Sequence, residues 1–223
     1  MNKEEIIVRC KDLIKSAAET TLEQIPYAGV FYVAVSKVKD GAYKRRLETW
    51  QELVGQRLAD LEAATFDSLG DNEDFASVLV TATELAAKSN KIKMECLANA
   101  VKYVATNKVE EEYIIAFLNC IDRYTTKHLE AILYFQKITT FNKIPTPNRL
   151  IDNIDKQPFF SKYYPQMDNG LAKVIIDDIR RDGLYSDETL LNRGQNSTNT
   201  LYPHTTELGK QFIDFFGLND VEL

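Results

Sequence analysis

Through most of the first 140 positions the apolar residues recur every three or four places, the spacing of one face of an α-helix. Ile6, Ile7, Cys10, Leu13, Ile14 and Ala17 form a first stripe. Leu47, Trp50, Val54, Leu58 and Leu61 form a second over 45–65, with Glu48, Glu52, Arg57 and Asp60 on the other face. Leu69-Gly70-Asp71-Asn72 ends it, and Asp71 is expected to cap the next helix. Two Ala-rich segments, 75–87 and 91–104, flank the polar turn Lys88-Ser89-Asn90. A turn that short predicts an antiparallel pair packed closely through its alanines. Asn107 and Glu110 have the spacing of a capping box, with Asn in the capping position.

The stretch 110–135 organises the chain. Ile114, Ile115, Phe117, Leu118 and Ile121 repeat at helical spacing. Asp122-Arg123-Tyr124-Thr125-Thr126 then breaks the pattern, and Thr125 or Thr126 is an N-cap for a helix carrying Leu129, Ile132, Leu133 and Gln136 on one stripe. Before this corner the chain reads as helix after helix. After it the texture changes. The segment 141–167 holds four of the six prolines, which excludes a long helix, and it interleaves Lys143, Arg149, Lys156 and Lys162 with Phe159, Phe160, Tyr163 and Tyr164. An amphipathic helix over 171–184, closed by Gly183, follows. Strand-like pieces at 190–191 and 200–202 then bracket a polar tip, and a last helix over 206–216 turns Leu208, Phe212, Ile213 and Phe216 inward. With a short helix near 159–165, this is the element order of a winged helix-turn-helix. The expected fold is mainly α: a multi-helix bundle over 1–122, then a small winged-helix-like α+β part over 123–223.

Composition narrows the function by exclusion. Over 223 residues the formal charge is −6, too acidic for a protein that coats nucleic acid by electrostatics alone, although a local basic face is compatible with it. Cys10, Cys96 and Cys120 are odd in number, far apart and set among helical apolar residues, as reduced core thiols of a cytoplasmic protein would be. His128 and His204 have no partner at ligand spacing, so no metal and no cofactor is expected. The N-terminal stretch mixes charge with isolated apolar residues and does not read as a signal peptide. The most apolar run, Tyr27 to Val38, is well short of the about 20 residues that cross a bilayer, and reads as a buried helix.

Several short elements carry a resemblance. They are Ile25-Pro26-Tyr27-Ala28-Gly29-Val30, the long charged helix from Arg45 to Thr65, Leu97-Ala98-Asn99, the apolar helix running into the polar corner from Phe117 to Leu129, and Thr206-x-x-Gly209-x-x-Phe212. Together they resemble the Abi-alpha-like helical proteins associated with prophages and abortive infection. The resemblance implies a helical fold and a bacterial or phage context, and no catalytic residue.

No Gly-rich phosphate loop, zinc-protease helix or nucleophile elbow is present, and Asp177-Asp178 and Glu110-Glu111-Glu112 read as solvated helix faces. The expectation is therefore a non-enzymatic interaction or regulatory protein, acting on itself or on another defence or prophage component. A winged-helix DNA-binding regulator is the alternative, and a membrane-active abortive-infection effector a lesser one. Contacts to nucleic acid or partner would come from Lys143, Arg149, Lys173, Arg180, Arg181 and Arg193. Asp177, Asp178 and Asp182 share the helix with Lys173 and the two arginines, and carboxylates beside phosphates weaken binding, so DNA affinity is expected to be poor.

Overall fold

The computed structural model describes residues 45–59, 72–141, 164–186 and 204–221, together with 8, 41, 61 and 69; for 137–141 and 204 it describes secondary structure alone. The described residues are mainly helical. The chain divides into two units, Met1–Arg123 with Phe215–Glu222, and Tyr124–Asp214 with Leu223.

In the first unit, α1 covers 45–58, α2 Glu73–Lys88, α3 Lys91–Thr106 and α4 Glu111–Arg123. Trp50, Val54 and Leu58 are buried, as the stripe in the sequence requires. The buried Trp50 indole is satisfied by the Thr83 hydroxyl at 3.1 Å, and that hydroxyl donates in turn to the Leu79 carbonyl. A buried Trp N–H without such a partner would cost about 1–3 kcal/mol. The helix ends also find partners. Asn72 accepts from Phe75 N and Asn90 from Lys93 N, each satisfying an N–H that has no partner within its helix. At the opposite ends, Arg46 donates to the Ala87 carbonyl at 3.1 Å and Lys93 to the Asp122 carbonyl at 3.0 Å, placing cations where the helix dipole favours them.

Asn99 holds the C-terminal residues of this unit. It accepts from Arg57 Nε and donates to the Phe216 carbonyl at 3.0 Å. Gly217 follows with φ 54°, and a Cβ there would lie 2.8 Å from Asn99 Nδ2. Glycine therefore meets two demands at once, a left-handed backbone and a close approach. Phe215 packs its ring 5.6 Å from Tyr103 and 5.4 Å from Phe117. Cys96 and Cys120 are buried free thiols, and burial pushes the Cys96 thiol up to about 12, which makes it inert.

In the second unit, α5 covers Thr126–Phe141, α6 Asn169–Arg181, β1 Tyr185–Ser186 and β2 His204–Thr205, and α7 (Glu207–Phe216) begins here, its last two residues belonging to the first unit. The strands pair antiparallel, Tyr185 opposite Thr205. Helix α5 packs on α6 and β2, with Leu129, Ala131, Ile132 and Phe135 buried. The Thr206-x-x-Gly209-x-x-Phe212 element has a physical role at each position. Thr206 donates to the Gly183 carbonyl at 2.6 Å and caps α7 by accepting from Gly209 N at 2.9 Å. A Cβ at Gly209 would lie 2.1 Å from the Leu184 carbonyl oxygen, so no larger residue fits that crossing. Phe212 is fully buried, 6.0 Å from the Tyr124 ring.

Some expectations change in detail. The cap of α2 is Asn72, one residue after Asp71. Asn107 does not open α4. Its side chain turns back to the Tyr103 carbonyl at 2.9 Å and closes α3, because a helix C-terminus offers free carbonyls to an amide donor as readily as an N-terminus offers free N–H groups. Leu208 is only half-buried on α7. Helix α6 begins earlier than expected, at Asn169, because Asp168 caps it through Leu171 N at 3.1 Å. The segments 6–7, 9–17, 27–38, 159–163, 190–191 and 200–202 lie outside the described residues. Among the described residues no helix is long and apolar enough to cross a membrane.

Candidate partner interface

Of the six basic residues singled out in the sequence, Lys173, Arg180 and Arg181 lie on α6, while Lys143, Arg149 and Arg193 fall outside the described residues. Ala172, Ile175, Ile176 and Ile179 face inward, so the polar residues of α6 must share the remaining two-thirds of its surface. Arg180 lies 3.0 Å from Asp177, and Arg181 lies 2.8 Å from Asp178 and 3.8 Å from Asp182. Two guanidinium groups and three carboxylates thus leave this turn and a half of helix with one net negative charge. Lys173 is exposed and makes no ion pair among the described residues.

The aspartates are also held from behind. Asp182 accepts from the buried Tyr124 hydroxyl at 2.7 Å, and Asp178 lies 3.5 Å from Nε2 of the buried His128. The imidazole stacks on the Tyr124 ring, with centroids 4.8 Å apart and planes 12° from parallel. Its Nδ1 accepts from Thr125 N at 3.1 Å, so that nitrogen is unprotonated here and Nε2–H faces the carboxylate. His128 takes the place that Glu or Gln fills in a capping box, three residues after Thr125. Nearby, Lys127 sits 3.3 Å above the Tyr164 ring, and burial raises the Glu130 carboxyl above its ordinary value against the opposing pull of Lys127.

The pairing of Tyr124 with Asp182 does not show in the sequence, because the two lie 58 positions apart. The readable sign was local: a Thr-x-x-His at a helix start, and Asp-Gly at a helix end. Among the described residues no group of three His, Cys, Asp or Glu is placed to hold a metal ion.

The outward face of α6 is not purely polar. Leu171 and Val174, three positions apart, are 51% and 54% exposed and flank Lys173. A lone exposed aliphatic residue is ordinary, but a contiguous pair on one helix face is a surface that loses free energy in water and gains it on docking. Taken together, α6 presents two apolar side chains, one free ammonium, and two arginines outnumbered by three carboxylates. That suits contact with a mixed apolar and polar protein surface better than with a row of phosphates. No protein-family model, curated protein or solved structure matches this chain.

Proposed function

We infer that the protein is a non-enzymatic interaction or regulatory component whose C-terminal unit meets a protein partner through α6. The observation that carries this reading is the internal neutralisation of Arg180 and Arg181 by Asp177, Asp178 and Asp182, beside the exposed pair Leu171 and Val174. Arginines that contact phosphate must give up existing partners, and three carboxylates on the same helix repel the incoming backbone. Apolar side chains at an interface centre have no such cost. The order α5, α6, β1, β2 supports treating this part as a winged-helix-like module, a class that also serves protein–protein contacts. The resemblance to Abi-alpha-like proteins supports an accessory or sensor role in phage defence or in a prophage.

The test is affinity capture from the native host with and without phage challenge, using the full chain and its Val174→Asp variant. A defined protein held by the parent chain and lost by the variant supports the reading. Recovery of DNA alone reverses it in favour of a regulator, the second reading that the exposed Lys173 keeps in view.

A further inference from the structure

The second unit buries an ionisable ring among charged groups. His128 on α5 is 5% exposed, and both of its ring nitrogens face groups that distinguish its protonation states. Nδ1 lies 3.1 Å from Thr125 N, whose N–H only the unprotonated nitrogen can accept. It also lies 2.9 Å from Thr125 Oγ1, a hydroxyl oxygen that can accept from the protonated nitrogen. Nε2 lies 3.5 Å from Asp178 Oδ2 on α6. Thr125 is exposed, so water can take over its backbone N–H and no donor is stranded in the interior.

We propose that His128 is a proton-operated switch in the cap of α5. In the neutral form Nδ1 accepts from Thr125 N and closes the first turn. On protonation Nδ1 becomes a donor, its hydrogen bond passes to the Thr125 hydroxyl oxygen, and the imidazolium pairs with Asp178 through Nε2–H. The surrounding charges favour that second state. On α6, Asp177, Asp178 and Asp182 outnumber Arg180 and Arg181 by one, so an imidazolium brings the cluster to neutrality. The Tyr124 ring, stacked 4.8 Å away and donating to Asp182, lays its π face against the cation. Arg181 opposes this state, because it holds the same Asp178 carboxylate at 2.8 Å. On α5 itself Lys127 adds like charge and Glu130 opposite charge. Helix α7 sets Phe212 against Tyr124, its Glu207 and Lys210 pair with each other, and its Asp214 is exposed. Strand β2, packed on α5, contributes the buried Thr205, and the side chain of His204 lies outside the described residues. With His128 charged, Asp178 is shared between the ring and Arg181. A proton taken up in the interior thereby loosens a guanidinium that is 62% exposed on the outer side of α6. Whether α6 meets a protein or DNA, the coupling is the same.

NMR of the imidazole nitrogens and backbone amides of the full chain tests the switch between about pH 8 and about pH 5, the window in which histidines change charge. The chain has two histidines, so a His204→Gln variant assigns the remaining ring signals to His128. At the upper end His128 is expected as the tautomer with Nδ1 unprotonated. On acidification Nδ1 should gain its proton with the fold intact by circular dichroism. The Thr125 amide should shift with the same midpoint, as it gives up its acceptor. Asp178→Asn should lower that midpoint by about one unit or more, since a nearby carboxylate favours the charged ring. Thr125→Val keeps the N–H and removes the hydroxyl acceptor, so it should lower the midpoint as well. A ring that keeps one charge state throughout, or a Thr125 amide that does not follow the titration, overturns the switch. Unfolding in step with protonation, or a midpoint that Asp178→Asn leaves in place, overturns it equally.

Discussion

The two units of this chain settle their buried polar groups in different ways. In the first, the described buried groups pair mostly with neutral partners: Trp50 with Thr83, Thr83 with the Leu79 carbonyl, Asn99 with the Phe216 carbonyl. Cations enter at helix ends, as with Arg46 and Lys93, and at a neutral amide, where Arg57 donates to Asn99. In the second, ionisable groups cluster at α6, where Asp182 accepts from the Tyr124 hydroxyl, Asp178 lies 3.5 Å from His128 Nε2, and Arg181 pairs with both carboxylates. The contrast assigns each unit a sensitivity. The first answers chiefly to changes of shape and volume, whereas the second also answers to changes of charge.

The largest effects test whether each unit has its own core. Leu118→Asp in the first and Leu133→Asp in the second each bury an unpaired charge at a site 6% and 9% exposed, and should cost more than about 4 kcal/mol. Thermal melts in which both variants behave as the parent would break the description of either core. Next come the two glycines. Gly209→Ala forces a Cβ onto the Leu184 carbonyl and should destabilise by about 3 kcal/mol or more, since backbone must move. Gly217→Ala meets the Asn99 side chain instead and adds left-handed strain, for about 1–3 kcal/mol. Denaturant midpoints that reverse this order would show that the close crossing in the second unit is more yielding than its geometry implies.

Smaller changes sharpen the contrast in charge. Tyr124→Phe deprives the Asp182 carboxylate of its hydroxyl and should cost about 1–3 kcal/mol by urea unfolding. Glu130 gives the smallest effect, and its sign follows from linkage. Burial raises its carboxyl pKa, so the folded state holds that proton more tightly than the unfolded chain does. The stability this lends is present in acid and is lost as pH rises through the folded pKa. Glu130→Gln should therefore raise Tm at pH 7, by no more than about 2 °C given its solvent screening, and change it less near pH 4.

Much of the helical frame was legible because it rests on local chemistry. The stripe through Trp50, Val54 and Leu58 and the paired helices around Asn90 follow from period and capping residues alone. Thr206, Gly209 and Phe212 were also readable as a unit, and the structure supplies the reason in a cap, a crossing and a core residue. Where two chemistries compete for one side chain, the sequence misleads: Asn107 serves as readily at a helix end as at a helix start. The polar cluster behind α6 was illegible for a different reason. Tyr124 and His128 are adjacent turns of chain, but Asp178 and Asp182 arrive from another helix, and no periodicity encodes a pairing across that separation. The exposure of Leu171 and Val174 was hidden in the same way, since a helix declares its apolar residues before the fold decides which are covered.

The central claim, that α6 presents a protein-docking face and not a reader of DNA, is tested most directly by fluorescence anisotropy of the full chain. Random and promoter-derived duplexes would be titrated at about 150 mM salt, where non-specific phosphate contacts are weak. The account predicts no sequence-specific binding, because Arg180 and Arg181 are already neutralised by Asp177, Asp178 and Asp182. A specific Kd of about 10⁻⁸ M or tighter, the range of true regulators, whose salt slope falls by about one unit on Lys173→Ala or Arg181→Ala, would contradict it.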